Sequence, residues 1–245
     1  MLLQAALNGG RTLDEHSNIP ITPEQVAGEV QRVIDAGADA VHFHIRARDG
    51  RQSLIADDVS RTLKIVRAAN PDVALGISTS LEIVGNSRVR HQLISEWQIL
   101  PDYVSVNIHE EGALELIELL LTKGVGIEAG LCTPEAAKQL IISGRANDCL
   151  RILIEATENN VVEASRNVQA MQAVLADSPL KISCLLHGQD GSAWSIFEDA
   201  VAQGYDTRIG FEDMLTLPDG TAVESNAELI QYAFDHIQAA EKKSR

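Results

Sequence analysis

Short apolar stretches alternate with helix-patterned stretches along the whole chain, and this alternation limits the fold more than any other feature. Strands are predicted at Leu2–Leu7, Ala40–Ile45, Ala74–Ile77, Tyr103–Val106, Gly126–Ala129, Leu150–Ile154, Lys181–Leu186 and Asp206–Ile209. The first helix is predicted from Thr22-Pro23-Glu24, which supplies an N-cap, a proline in the first turn and an early acid. Further helices are predicted at Asn86–Trp97, Glu111–Lys123, Pro134–Ser143, Glu158–Leu175, Ser192–Gln203 and Asn226–Ala240. Gly37, Gly124 and Gly204 stand where helices should stop. Strands separated by helices imply a parallel sheet, because each parallel return needs a long crossover.

Two parallel architectures compete, a closed (β/α)₈ TIM barrel and an open doubly wound sheet. The open sheet usually shows a glycine-rich, phosphate-holding turn after its first strand. Asn8-Gly9-Gly10 lacks the third glycine and the distal acid of that signature. The length of 245 residues suits a barrel of about 250 residues. With no linker, repeat or low-complexity segment, residues 1–245 are expected to form a single α/β TIM-barrel domain.

Charge narrows the partners. The chain has 20 Lys+Arg against 35 Asp+Glu and a formal net charge of −15, a field that repels nucleic acid. No segment approaches the roughly 20 apolar residues of a membrane span. The N-terminus MLLQAALNGG lacks the basic start of a signal peptide. Cys132, Cys149 and Cys184 form no CxxC pair and read as reduced thiols. A cytoplasmic protein without membrane or nucleic-acid partners is expected.

In a TIM barrel the chemistry sits at the C-terminal ends of the strands. Asn8, His42, His44, Arg46, Ser78, Thr79, Asn107, Glu128, Glu155, His187, Arg208, Glu212 and Asp213 stand near predicted strand ends. The sharpest signal is VHFHIR. Residues two apart on a strand point to one face, so His42 and His44 project together and form half of a metal site. A third ligand is available from RIGFEDM, where Glu212 follows the last strand, because strands eight and two both flank strand one. A His₂-carboxylate set suits Zn²⁺ or another divalent first-row ion. Glu128, Glu155 and His187 are rival ligands. Ser78 and Thr79 are candidate donors to a carboxylate or oxyanion, or caps of the next helix. Asn8 and Asn107 are candidate substrate contacts. Arg46, Arg48 and Arg51 form either a solvated loop or an anion-binding cluster.

These blocks resemble the β-keto acid cleavage enzyme family, the 3-keto-5-aminohexanoate cleavage enzyme-like proteins. LNGGRTLDEHSNIPITPEQVAGEV is similar to the family's opening, AGADAVHFHIRARDG to its HxHxR block and GISTS to its third strand end. TRIGFEDM with SNAELI is similar to its closing block. The resemblance implies a zinc-bearing TIM barrel, commonly a homo-oligomer (dimer or tetramer). The implied reaction combines a β-keto acid with acetyl-CoA and yields acetoacetate and a new acyl-CoA. It places the metal on His42, His44 and Glu212, a substrate contact on Ser78, and the catalytic pair on Arg208 and Asp213. Within that pair the carboxylate of Asp213 is the better proton acceptor, and the alternative reading of the two is a local salt bridge at a helix start. Between Val84 and Gly204 the match is weak, and Met214 follows Asp213 where the family has asparagine. Arg11 stands where one branch has a glutamate that reads an amine. A guanidinium there either takes the anionic far end of a substrate through two parallel hydrogen bonds, or points to solvent or pairs with Asp14 or Glu15.

Other uses of such a barrel are a metal-dependent carbon–carbon lyase or aldolase without a thioester, a metal hydrolase, and a non-catalytic metal-binding barrel. In hydrolase barrels an HxH pair usually follows strand one; here it falls on strand two.

Overall fold

A computed structural model describes residues 1–243; residues 244–245 of the expected domain lie outside the described residues. Eight parallel strands close on themselves in chain order. They are β1 (Leu3–Ala6), β2 (Ala40–Phe43), β3 (Leu75–Ser78), β4 (Tyr103–Asn107), β5 (Gly126–Leu131), β6 (Arg151–Ala156), β7 (Cys184–Gly188) and β8 (Asp206–Ile209). Each is followed by a helix: α1 (Pro23–Asp35), α2 (Ala56–Ala69), α3 (Ser87–Ser95), α4 (Ala113–Thr122), α5 (Pro134–Ile142), α6 (Val161–Ala176), α7 (Ala193–Gln203) and α8 (Asn226–Lys243). The molecule is a (β/α)₈ TIM barrel. Closure comes from the β1–β8 pairing, with Leu3 opposite Thr207 and Gln4 opposite Arg208. No helix among the described residues is long and apolar enough to cross a membrane.

Local signals set the helix starts. The Thr22 hydroxyl accepts from the Gln25 backbone amide while the Gln25 side-chain oxygen accepts from the Thr22 backbone amide, a capping box around Pro23. The helix α2 was absent from the sequence-based expectation. Its N-cap position is Ile55, which offers no side-chain acceptor, so the usual start signal is missing.

Strand limits differ where depth in the barrel matters. β6 and β7 extend to Ala156 and Gly188, so Glu155 and His187 lie inside the ladder, directly paired. β5 extends to Leu131 and places Glu128 low in the barrel, opposite Arg151. There Glu128 is fully buried and accepts from Gln4 at 2.8 Å, with Arg151 3.2 Å away. Tyr103 fills the space beneath the mouth and donates to the Val41 carbonyl at 2.6 Å. Gly76 makes room for it, since a Cβ at that position would lie 2.0 Å from the Tyr103 ring. Glu128 is therefore part of the barrel floor and not a ligand at the mouth. Outside the strands, Val30, Leu63, Ile117, Leu140 and Ile230 from the helices pack into the apolar shell around the barrel.

Candidate functional site

The first β/α turn builds one half of the site. Gly9 has a positive φ of 51°, and a Cβ on it would sit 2.4 Å from the Glu212 side chain. On the other strand of the pair, a Cβ on Gly210 would lie 2.1 Å from the Ala6 carbonyl oxygen. Glycine at both positions lets the β1 and β8 turns approach closely enough for Glu212 to reach the barrel axis. Asn226, at the start of α8, locks this approach. It accepts from the Phe211 amide at 2.6 Å and donates to Leu7 O at 3.1 Å and to buried Glu29 at 2.9 Å.

His42, His44 and Glu212 meet at the end of this assembly, with one potential ligand atom of each within 4.8 Å of the others. Glu212 oxygens lie 3.8 Å from His42 Nε2 and 3.6 Å from His44 Nε2. The two rings are 5.6 Å apart and nearly perpendicular. His44 Nδ1 is 2.5 Å from the Gln52 side-chain oxygen, which can only accept. A proton of His44 is thereby placed on Nδ1, and Nε2 is the nitrogen that faces Glu212. Burial drives the His42 pKa down to about 3, with Glu212 opposing and Arg208 reinforcing, so its ring is neutral. Burial pushes the Glu212 carboxyl upward, but Arg208, His42 and His44 more than offset this and hold it well below the usual carboxylate range. Glu212 Oε2 is buried without a hydrogen-bond partner. Two imidazoles and one carboxylate with an orphaned oxygen fit a divalent first-row cation.

Arg208 stands beside this cluster. It donates through Nη2 to Asp213 at 2.8 Å and to Glu212 at 3.1 Å, and through Nε to His187 Nδ1 at 3.2 Å. Burial works against its charge, yet Asp213, Glu212 and Glu155 together raise its pKa. Arg208 lines the mouth cavity of about 480 Å³, with His42, His44, Ser78, Asn107 and Glu212. Asp213 does not. It is fully buried behind Arg208 and pairs with the guanidinium at 2.8 Å.

Three other expected substrate contacts are redirected. Asn8 spends both amide donors on the Pro20 and His44 carbonyls and its oxygen on the His44 amide at 2.7 Å. It thus positions His44 and faces no cavity. Thr79 donates to the Ser105 carbonyl at 2.6 Å and is fully buried. Arg11 does line the cavity, but its charge is already matched: Nη2 meets Asp190 at 2.5 Å, Nη1 meets Glu15 at 3.1 Å, and Nε donates to Phe211 O at 2.6 Å. Of the basic run, Arg46 is buried on the Gly9 and Arg11 carbonyls, and Arg51 pairs with Asp49.

The opposite wall joins Asn107 and Glu155, both expected near strand ends, to residues that the sequence argument passed over. Asn107 donates to Glu110 at 2.9 Å, and Glu110 in turn pairs with buried Arg90. Cys132 Sγ lies 3.0 Å from His109 Nδ1. Glu155 receives a bond from Gln189 at 2.8 Å and makes no ion-pair contact among the described residues, with Arg208 the cation whose field reaches it. Loop proximity alone brings Gln189, Asp190 and Cys132 to the cavity, and no local pattern announces that.

Known proteins share the fold. The barrel is similar to that of ObcA in a ternary complex with a C4-CoA adduct and oxalate, with a TM-score of 0.68 at 18% identity. The alignment covers 91% of this chain and 64% of that one, so the chain spans less than two thirds of that structure's length. It is also similar to the 3-dehydroquinate dehydratase of Aquifex aeolicus, with a TM-score of 0.60 at 13% identity, covering 96% and 99% of the two chains. In sequence, it is 23% identical to a 3-keto-5-aminohexanoate cleavage enzyme of Acetoanaerobium sticklandii. It is 22% identical to a protein of the same name from Fusobacterium nucleatum. Both alignments cover 94% of this chain and 89% of the relative. The beta-keto acid cleavage enzyme family matches residues 1–244, from the opening turn through the β8 block that carries Glu212, and the chain belongs to that family.

Proposed function

We propose that this protein is a metal-dependent enzyme that joins a β-keto acid to acetyl-CoA and releases acetoacetate and a new acyl-CoA. The observation that carries the reading is the convergence of His42, His44 and Glu212 beside Arg208 at one end of a cavity. His42 and His44 would hold the ion through Nε2 and Glu212 through a carboxylate oxygen. When bound, a zinc-class ion supplies Lewis-acid polarisation of the ketone and carboxylate oxygens. Arg208 directs a guanidinium at the oxygen where negative charge develops as the carbon–carbon bond is made and broken. Ser78, which lines the cavity and accepts from the Ser80 amide at 3.2 Å, retains its own proton to donate to the substrate carboxylate.

The cavity also bears on the substrate's far end. Arg11 is neutralised by Glu15 and Asp190, while Glu155 faces the cavity without an ion pair. These charges favour a cationic tail over a second carboxylate, the reverse of what Arg11 suggests in isolation. The relatives' named substrate carries an amine.

A second reading has its own support. Both arginines on the cavity wall are already ion-paired. No other lining residue is Lys or Arg, so the wall offers no unpaired cation to the phosphates of CoA. A carbon–carbon lyase that uses no thioester would fit that wall.

The test begins with elemental analysis of protein purified without added metal. Matched neutral, cationic and dianionic β-keto acids are then assayed with and without acetyl-CoA. Turnover only with the thioester supports the first reading, and thioester-independent cleavage supports the second. No cleavage of any β-keto acid by metal-loaded protein would overturn both. Preference for the dianionic substrate would overturn the tail assignment.

A further inference from the structure

Arg208 has one task that its partners divide. A guanidinium turns about its Cδ–Nε bond, and one hydrogen bond at Nη2 leaves it free to pivot. Asp213 and Glu212 both take Nη2. The second fixed point is at Nε, where His187 Nδ1 accepts at 3.2 Å. Two anchors on different nitrogens define the plane of the group. Nη1 is then the arm with no protein partner among the described residues, on a side chain that lines the cavity.

His187 is built for this contact. It sits on β7, fully buried, one strand from Arg208. Thr207 ties the two strands together at that level by donating to the Leu186 carbonyl at 2.9 Å. An arginine cannot lose its proton in a protein, so its Nε–H must donate and His187 Nδ1 must accept. The ring proton is therefore on Nε2, which is buried with no partner. A packing residue could be wholly apolar here. A buried imidazole with one nitrogen unpartnered is accounted for by the acceptor on its other nitrogen.

We propose that His187 is a positioning residue of the reaction: by accepting from Nε it holds the Arg208 guanidinium in the plane that presents Nη1 to the substrate. This rests on the reading of the cavity as a β-keto acid site. It assigns His187 neither to the metal nor to the substrate.

The test compares His187→Phe, which keeps ring volume and removes the acceptor, with His187→Asn and His187→Gln. Asn Oδ1 stands where Nδ1 does, while Gln Oε1 stands one atom farther out. In metal-loaded enzyme, His187→Phe and His187→Gln should lower kcat by about 10- to 100-fold. The KM for the β-keto acid should hardly move, and metal content should be unchanged. His187→Asn should recover most of the loss. A readout independent of turnover is the arginine Nε–H resonance. Arg208 Nε–H should exchange slowly in the wild type and in His187→Asn, and fast in His187→Phe. Equal losses in the Asn and Phe variants, a change in KM alone, unchanged kcat in the Phe variant, or loss of metal would each overturn the proposal. If the wild type cleaves no β-keto acid, the functional reading fails, and the resonance still decides whether His187 holds Arg208. Fast exchange in the wild type would overturn that contact.

Discussion

On the β8–β1–β2 side of the barrel mouth, His42, Arg208 and Asp213 are almost wholly buried, and Arg208 is bonded to His187 and Asp213 together. On the β4–β6 side, Glu155, His109 and Cys132 are less enclosed, with one or two contacts each. The first side carries two imidazoles, a carboxylate held ionised and a guanidinium with two anchors. The second carries a carboxylate outside any ion pair and a thiol beside an imidazole. A buried, cross-braced cluster keeps its geometry when a substrate arrives, as bond-making chemistry needs. A half-open wall tolerates variation, as the choice of a substrate tail needs. On the proposed function, chemistry belongs to one side of the mouth and selectivity to the other.

The strongest way to break that contrast is to remove the metal cluster. His42→Ala and Glu212→Gln should each lower bound metal from about one ion per chain to background and abolish turnover. Full occupancy in both variants, measured by elemental analysis, would place the metal elsewhere. A smaller loss is expected behind the cluster. Asp213→Asn should retain metal and lower kcat on the order of a hundredfold, with little change in KM, because Arg208 loses its charge partner. If KM alone moved, Asp213 would belong to binding.

Across the mouth the expected effects shrink and change kind. Glu155→Gln should leave kcat for a neutral β-keto acid intact. It should reduce the preference for a cationic over a neutral substrate by about tenfold, the worth of one half-screened ion pair. A collapse of kcat for every substrate would move chemistry to this wall. Cys132→Ala should alter kcat by no more than about twofold. Burial, aided by the charge of Glu155, pushes the Cys132 thiol up to about 11, so it is protonated at neutral pH. Alkylation at pH 7 should accordingly be slow and should accelerate only as pH approaches that value. Rapid alkylation at neutral pH would show that His109 activates the thiol and that this wall is reactive.

The same division separates what was legible in the sequence. The β8–β1–β2 side is made by the opening and closing blocks, where the family likeness is dense, and the opposite wall falls between Val84 and Gly204, where it is weak. The alternation of strand and helix gave the barrel, since period and length are local properties. α2 escaped because its start at Ile55 has no capping side chain. Glu128 was placed at the mouth because a strand's period tells which side a residue faces and not how deep it lies. Only the register with Arg151 sets it on the floor.

What this chain determines by itself is therefore the barrel and the residue types gathered at its strand ends. His42 and His44 share a direction because they are two residues apart at the end of one strand, and that is fixed within VHFHIR. Their partners are a different matter. Arg11 is bound by the Phe211 carbonyl and by Asp190, 200 and 179 positions away, and the Asn226 amide group joins Leu7 across 219. Whether an arginine is free for a substrate or already paired, and whether an aspartate faces the cavity or stands behind a guanidinium, depends on such contacts. Only closing β1 against β8 brings them within hydrogen-bond reach, so the tertiary structure decided which polar groups were left over for chemistry.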